Sequence, residues 1–316
     1  MRLSFKDHLD MIISKTSKSI NVLRKLQYHL PRSSLITIYK SFIRSILDYA
    51  DIIYDQPYNF SITNRIESIQ YNAALAITGA IRGSSRDKIY NELGLEPLYS
   101  RRKFRKLCVF FKVFHEKSPR YLYDIIPEHS QIFNFRNRHR IPNIFCRTEF
   151  FRNSFFPSAI NEWNNLESQI IESETFSIFR SSLLKQIRPN ARSTFNILNP
   201  LGIKYLTRLR LGLSHLHEHK FHHHFNDTLN PLCPCNLEVE SVSHFFLHCH
   251  FFDNERLILM NGIFNIDPDI HLLDDISICN LLLYGNTHYS YEINKNILEL
   301  SINFILQSKR FDEPLF

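Results

Sequence analysis

The chain has 316 residues, 44% of them apolar, with 38 Lys+Arg against 31 Asp+Glu. That balance excludes a wholly disordered chain, and the length can bury real cores without disulfides. No uncharged apolar run approaches the roughly 18 residues of a membrane span; the start MRLSFKDHLDM lacks a signal-peptide stretch, and neither G-x-G-x-x-G nor G-K-[ST] occurs.

Residues 1–125 carry 21 Lys+Arg and 11 Asp+Glu, a net +10. They read as helices. Leu9, Ile12, Ile13, Ile20 and Leu23 recur near a period of 3.6 within 7–27. Pro31 breaks the chain, and Ser33 or Ser34 can cap a second helix with Leu35, Ile38, Tyr39, Phe42, Ile46 and Tyr49 on its buried face. Ile62, Ile66, Ile69, Ala73 and Ile77 form a third stripe, stopped by Gly79. A short helix around Ile89 and Leu93 ends at Gly94, and a longer one runs from Pro97 through Phe104, Cys108, Phe111 and His115.

Residues 126–192 keep a net charge of +3. Pro127, Pro142 and Pro157 interrupt them, and the basic–aromatic run FNFRNRHRIPNIFCRTEFFRNSFFP reads as extended chain with short strands. Helix returns around Trp163 and over 176–187.

Residues 193–316 are acidic, at −6. A helix is expected over 203–225, weakened by Gly212, and an amphipathic one over 293–310 with Ile297, Leu298, Ile302, Ile305 and Leu306 inward. The fold class is therefore mainly α. The expected organisation is a helical domain over 1–125, a basic and aromatic linker over 126–192, and a C-terminal helical domain over 193–316.

The sharpest local signal is LCPCNLEVESVSHFFLHCHFF. Cys233 and Cys235 are one residue apart, His244 follows after eight more, and Cys249 after another four. Zinc takes four soft or borderline ligands at tetrahedral angles, and this spacing can supply one pair from a turn and one from a helical turn. We therefore expect one structural zinc on Cys233, Cys235, His244 and Cys249. His248 and His250, beside Cys249, are alternative ligands. The rival reading is three buried thiols and a hydrogen-bonded His. Nine of the 16 histidines lie between 215 and 250; His215, His219, His222 and His223 can share a helix face, as a second metal site or as plain surface histidines.

A second constellation is RRKFRK: Arg101, Arg102, Lys103, Arg105 and Lys106. A basic helix face of this kind can track a phosphate backbone. Arg136, Arg138 and Arg140 interleave with Phe133 and Phe135, a mixture that pairs phosphates and stacks bases. These eight cations are the expected nucleic-acid-binding residues. No catalytic motif is found: no G-x-S-x-G, no H-E-x-x-H, no converging carboxylates.

Several segments in order resemble one family. LSFKDHLDMIISKTSKSINVLRKL, IYKSFIRSILDYADIIY and RIESIQYNAALAITGAIRGSSRDKIYNELGLEPLYSRR look like the region after the palm of non-LTR (LINE-type, jockey-like) retrotransposon reverse transcriptases. FRNSFFPSAINEWNNLE looks like that family's next block, and LTRLRLGLSHLHEH with the Cys/His cluster resembles its zinc-knuckle region. The resemblance implies a thumb, linker and knuckle that bind element RNA or target DNA. Fingers and palm, with the (F/Y)-x-D-D aspartates, would precede residue 1, so no catalytic residue carries over. The metal ligands carry over onto Cys233, Cys235, His244 and Cys249; Asn236 stands where many relatives have Gly. The implied function is the C-terminal fragment of an RNA-directed DNA polymerase, binding nucleic acid without its own active site. The alternatives are a decayed transposon remnant, or an accessory part of an active enzyme whose palm lies upstream or on a separate chain. A nuclear or cytoplasmic protein without a membrane partner is expected.

Overall fold

The computed structural model describes residues 5–55, 59–117, 119–127, 140–187 and 197–312. Among them the protein is mainly helical, with seventeen α-helices and no strand. In chain order these are α1 (Lys6–Leu26), α2 (Arg32–Ile38), α3 (Ser45–Asp48), α4 (Asp51–Tyr54), α5 (Phe60–Thr78), α6 (Arg86–Leu93), α7 (Leu98–Glu116) and α8 (Arg120–Tyr123). Then come α9 (Glu149–Arg152), α10 (Phe155–Asn164), α11 (Ser168–Ile171), α12 (Phe176–Ile187), α13 (Pro200–Leu211), α14 (His217–His222), α15 (Asp253–Phe264), α16 (Asp275–Tyr284) and α17 (Tyr291–Gln307). No strand forms at 126–127 or 140–160; the rest of the expected strand region lies outside the described residues. No described helix is long and apolar enough to cross a membrane.

Contacts divide the chain into two compact units, each drawn from three stretches. The first takes the described residues within Met1–Ser19, Lys40–Tyr71 and Gly94–Ala191, the second those within Ile20–Tyr39, Asn72–Leu93 and Arg192–Phe316. These stretches cut across the three consecutive segments read from the sequence.

The core of the first unit forms around Trp163, fully buried on α10. Phe110 on α7 meets its indole edge-on at 5.3 Å between ring centres, and Phe179 on α12 stacks on it at 5.6 Å. Phe111 and Phe179 stack at 4.4 Å. Each such ring pair adds about 0.5–1.5 kcal/mol beyond its area burial, so α7, α10 and α12 are locked as one layer.

In the second unit α13, α15, α16 and α17 enclose Phe245, Phe246 and Phe304, all essentially without exposure. Phe246 stacks on Phe304 at 5.3 Å. Asn199 caps α13 by accepting from Gly202 N–H at 2.8 Å, Pro200 opens it, and Gly212 ends it at φ +70°. The helix expected over 203–225 is thus two helices, because Gly212 takes up the left-handed terminating conformation instead of continuing a turn. A Cβ on Gly202 would come within 2.1 Å of Ile302 Cγ2, which shows how closely α13 approaches α17.

The stretch after Pro31 departs from the expected face. A widened turn spans Tyr39–Arg44, and the buried positions are Leu35, Tyr39, Ile43 and Leu47, spaced by four. One extra residue in a turn rotates the stripe, so Phe42 and Tyr49 lie 64% and 73% exposed.

Candidate metal centre

Residues 231–240 form a minimal hairpin. Leu232 and Val239 pair as an antiparallel bridge, Cys233 N–H donates to Glu238 O at 2.8 Å, and Glu240 N–H donates to Pro231 O at 2.9 Å. Its bend is the Cys-Pro-Cys-Asn turn, closed by Asn236 N–H on Cys233 O at 2.8 Å. Pro234 suits the second position of such a turn, and Asn236 takes φ +61°, which Asn tolerates better than most residues. Both thiols of the C-x-C pair are thereby placed on one bend.

The other pair comes from a single helical turn over His244–His248. Ser241 Oγ accepts His244 N–H at 3.0 Å, and Cys249 N–H donates to His244 O at 2.8 Å, which returns Cys249 beneath His244. Phe245 and Phe246 anchor this turn in the core.

The four ligand atoms of Cys233, Cys235, His244 and Cys249 all lie within 4.8 Å of one another. Cys233 Sγ is 3.6 Å from Cys249 Sγ, and Cys235 Sγ is 3.3 Å from His244 Nε2. A tetrahedral ion with bonds of about 2.0–2.3 Å needs donor separations of just under 4 Å. The cluster can therefore hold a metal ion. His248 does not compete, because its Nε2 lies 2.7 Å from Asp275 Oδ2. His250 is exposed and outside the cluster.

The surroundings favour the thiolate at Cys235 and the neutral thiol at Cys233 and Cys249, although all three sulfurs have a backbone donor. Each sulfur accepts a backbone N–H from two residues on: Cys235 to Cys233, Leu237 to Cys235, Phe251 to Cys249. Burial pushes the Cys233 thiol up to about 12 and raises Cys249. Burial acts the same way on Cys235, but the Leu237 amide, the two other thiols and His244 outweigh it and bring it to about 7. His244 Nδ1 sits 3.2 Å from Glu238 Oε2. That contact places the ring proton on Nδ1 and leaves Nε2 to face the sulfurs, as ligand histidines commonly do.

Two residues escaped the sequence reading. One is Glu238; the other is Arg256 on α15, whose Nε donates to Phe246 O at 2.9 Å and whose Nη2 donates to Cys249 O. Arg256 holds the ligand turn by its carbonyls. Glu240, 1% exposed, ties the hairpin down by accepting from His217 N–H at 2.7 Å and from Arg310 Nε at 2.6 Å.

No second metal cluster forms among the described residues. His219 Nδ1 bonds Ser214 Oγ at 2.9 Å, and His223 Nε2 reaches Gly212 O at 3.2 Å.

The basic run on α7 is engaged within its own unit. Arg101 forks onto Asp48, with Nη2 2.6 Å from Oδ2, and also reaches Glu96 at 2.7 Å. Arg102 pairs with Asp55 at 3.3 Å, Arg105 with Asp51 at 3.1 Å, and Lys106 with Glu162 at 3.1 Å. Arg102 and Lys106 are buried; Lys103 is exposed. Four of the five cations expected to meet phosphate are thus paired with carboxylates. Arg140 is exposed, whereas Arg136 and Arg138 lie outside the described residues.

Comparison with known proteins finds no matching family model, no matching curated protein and no matching solved structure.

Proposed function

We propose that the protein is a nucleic-acid-binding part of an RNA-directed DNA polymerase of the non-LTR retrotransposon kind, folded around one structural zinc. The observation that carries the reading is the convergence of Cys233, Cys235, His244 and Cys249, at the place where the resemblance requires a knuckle. The order of the five resembling segments along the chain supports it further. Zinc is the metal chosen because three thiolates and one imidazole make a soft, borderline donor set, which selects against magnesium and calcium. All four positions of a tetrahedron are filled by protein, so the metal supports the fold and activates no water. In this reading zinc binding and the folding of residues 231–249 are coupled.

Metal analysis of the purified chain should give one zinc per molecule, and Cys249→Ser should lose it. A labelled oligonucleotide should bind with a strong dependence on salt, and no primer should be extended. A wild-type chain without metal, or one that ignores nucleic acid at low salt, overturns the reading.

A further inference from the structure

In the first unit, residues 140–147 are an extended segment held against α10. Asn164 holds it: the carboxamide accepts Ile141 N–H at 2.9 Å and donates to Ile141 O at 2.8 Å, as a neighbouring strand would. Ile141 is buried, and from Asn143 onward the exposure alternates: Ile144 and Cys146 are partly covered, while Asn143, Phe145 and Arg147 are exposed. Between this segment and the residues of α9 and α10 lies a pocket of about 610 Å³. We propose that the segment and its pocket seat a single strand of nucleic acid, one base stacked on Phe145 with its edge in the pocket, and phosphates on Arg140, Arg147 and Arg152; the proposal rests on the nucleic-acid reading above and gives it a location.

The side chains that a strand needs are open to it. Phe145 lines the pocket and is 84% exposed. Arg140 and Arg147 are exposed and meet no carboxylate among the described residues. Arg152 pairs with Glu149, but the two side chains are 61% and 66% exposed, and so open a surface pair is weak enough for a phosphate to replace. Among the described residues the lining contains one carboxylate, Glu162, and Lys106 already holds it at 3.1 Å. Asn153 donates from Nδ2 to Glu149 O, which leaves its Oδ1 for a ligand, and Asn161 is exposed.

Spacing and chemistry together favour a strand. Alternate side chains of an extended chain stand about 6.6 Å apart, so Phe145 and Arg147 present a ring and a cation side by side. That is the pairing single-strand binders use, one group for the base and one for phosphate. Asn143, Asn161 and Ser158 in the lining offer both donors and acceptors, as a base edge requires. An acidic peptide has no use for the open ring, and a lipid chain has none for the carboxamides. A duplex keeps its bases stacked on one another, away from Phe145.

The test uses the full chain and a labelled single-stranded DNA of roughly 10 nucleotides, within the usual range for one such site. Phe145→Ala should weaken binding about tenfold, and Phe145→Trp should keep it. Arg140→Gln together with Arg147→Gln should reduce the magnitude of the log–log salt slope by about 1.4. The wild type supplies a measurement free of any substitution: the oligonucleotide should slow the alkylation of Cys146, which lines the pocket, by iodoacetamide. Wild-type affinity in Phe145→Ala, an unchanged slope in the double variant, or a Cys146 that stays fully reactive overturns the location, while oligonucleotide binding itself keeps the nucleic-acid reading standing. Tighter binding to phosphatidylserine vesicles than to the oligonucleotide, lost in Phe145→Ala, assigns the segment to a lipid surface and overturns the strand. Absence of any oligonucleotide binding at low salt overturns both the location and the nucleic-acid reading.

Discussion

Arg210 Nη1 lies 2.7 Å from Glu92 Oε1, 118 residues away in sequence, and both side chains are almost wholly buried. The same carboxylate oxygen accepts Arg32 Nη1 at 3.0 Å, so one anion serves two guanidinium groups. Arg32 gains a further bond to Thr207 Oγ1 at 2.6 Å, and Arg210 one to Leu283 O at 2.6 Å. Burial lowers the Arg32 pKa, with Glu92 acting against it and Arg210 with it. Such a triad does not stabilise by its mere presence, but removing the shared partner leaves buried like charges. Glu92→Gln should therefore destabilise the protein by about 3–5 kcal/mol. The urea midpoint followed by circular dichroism checks this; a loss below about 1 kcal/mol would mean that water reaches the triad.

The α7 pairs make a separable case in the first unit. Burial raises the Glu162 pKa, and Lys106 is the principal opposing charge. Glu162 neighbours Trp163, the single tryptophan and the centre of that core. Lys106→Gln leaves the carboxylate without its cation and should cost about 2–4 kcal/mol, whereas Lys103→Gln, at an exposed site, should stay within about 0.5 kcal/mol. Denaturation followed by Trp163 fluorescence distinguishes them. Equal effects of the two changes would contradict the burial difference.

These two networks mark what the sequence conceals. Apolar spacing locates the helix over 176–187 and the inward set Phe104, Cys108 and Phe111, because each depends only on neighbours three or four residues away. Gly79 and Gly94 stop their helices at positive φ as read. RRKFRK reads as a phosphate face because its carboxylates come from 48, 51, 55 and 162, which only folding brings near. The widened turn at 39–44 has no signature in composition, so the apolar spacing puts Phe42 and Tyr49 on the buried face although both are exposed. At the candidate metal centre spacing points to Cys233, Cys235, His244 and Cys249 but leaves His248 and His250 as alternatives, which only the folded cluster removes. Glu238 and Arg256 do not follow from spacing, since one is placed by the hairpin and the other by α15.

His219 supplies a pH test. Burial is the main cause that brings its pKa from 6.5 down to about 4, with His223, His222 and Lys88 adding to it and Glu240 opposing. The unfolded chain therefore takes up a proton that the folded chain refuses between those two values. Stability is full above pH 6.5 and falls as the pH drops toward 4, by roughly 3 kcal/mol at about 1.4 kcal/mol per pH unit. His219→Gln, which can keep a hydrogen bond to Ser214, should flatten the unfolding free energy across this window. An unchanged pH profile in that variant would assign the loss to other groups.

Asn236 and Glu238 separate the turn from the shell around the ligands. Asn236 sits at φ +61° in the bend that carries two of the thiols. Gly adopts that conformation freely, while a β-branched residue pays about 1–2 kcal/mol or more to enter it. With zinc bound as proposed, Asn236→Gly should therefore keep the wild-type affinity, and Asn236→Val should weaken it through the C-x-C pair. Glu238 touches no ligand sulfur but orients the His244 ring through Nδ1. Glu238→Ala should weaken zinc by about 10–100-fold, the usual effect of losing such a partner, with the ligands intact. Competition against a chromogenic chelator measures all three. The order expected is Asn236→Gly tightest, then the two others, with Cys249→Ser weaker than any. If Asn236→Val binds zinc as tightly as Asn236→Gly, the left-handed bend is not what brings the two thiols together.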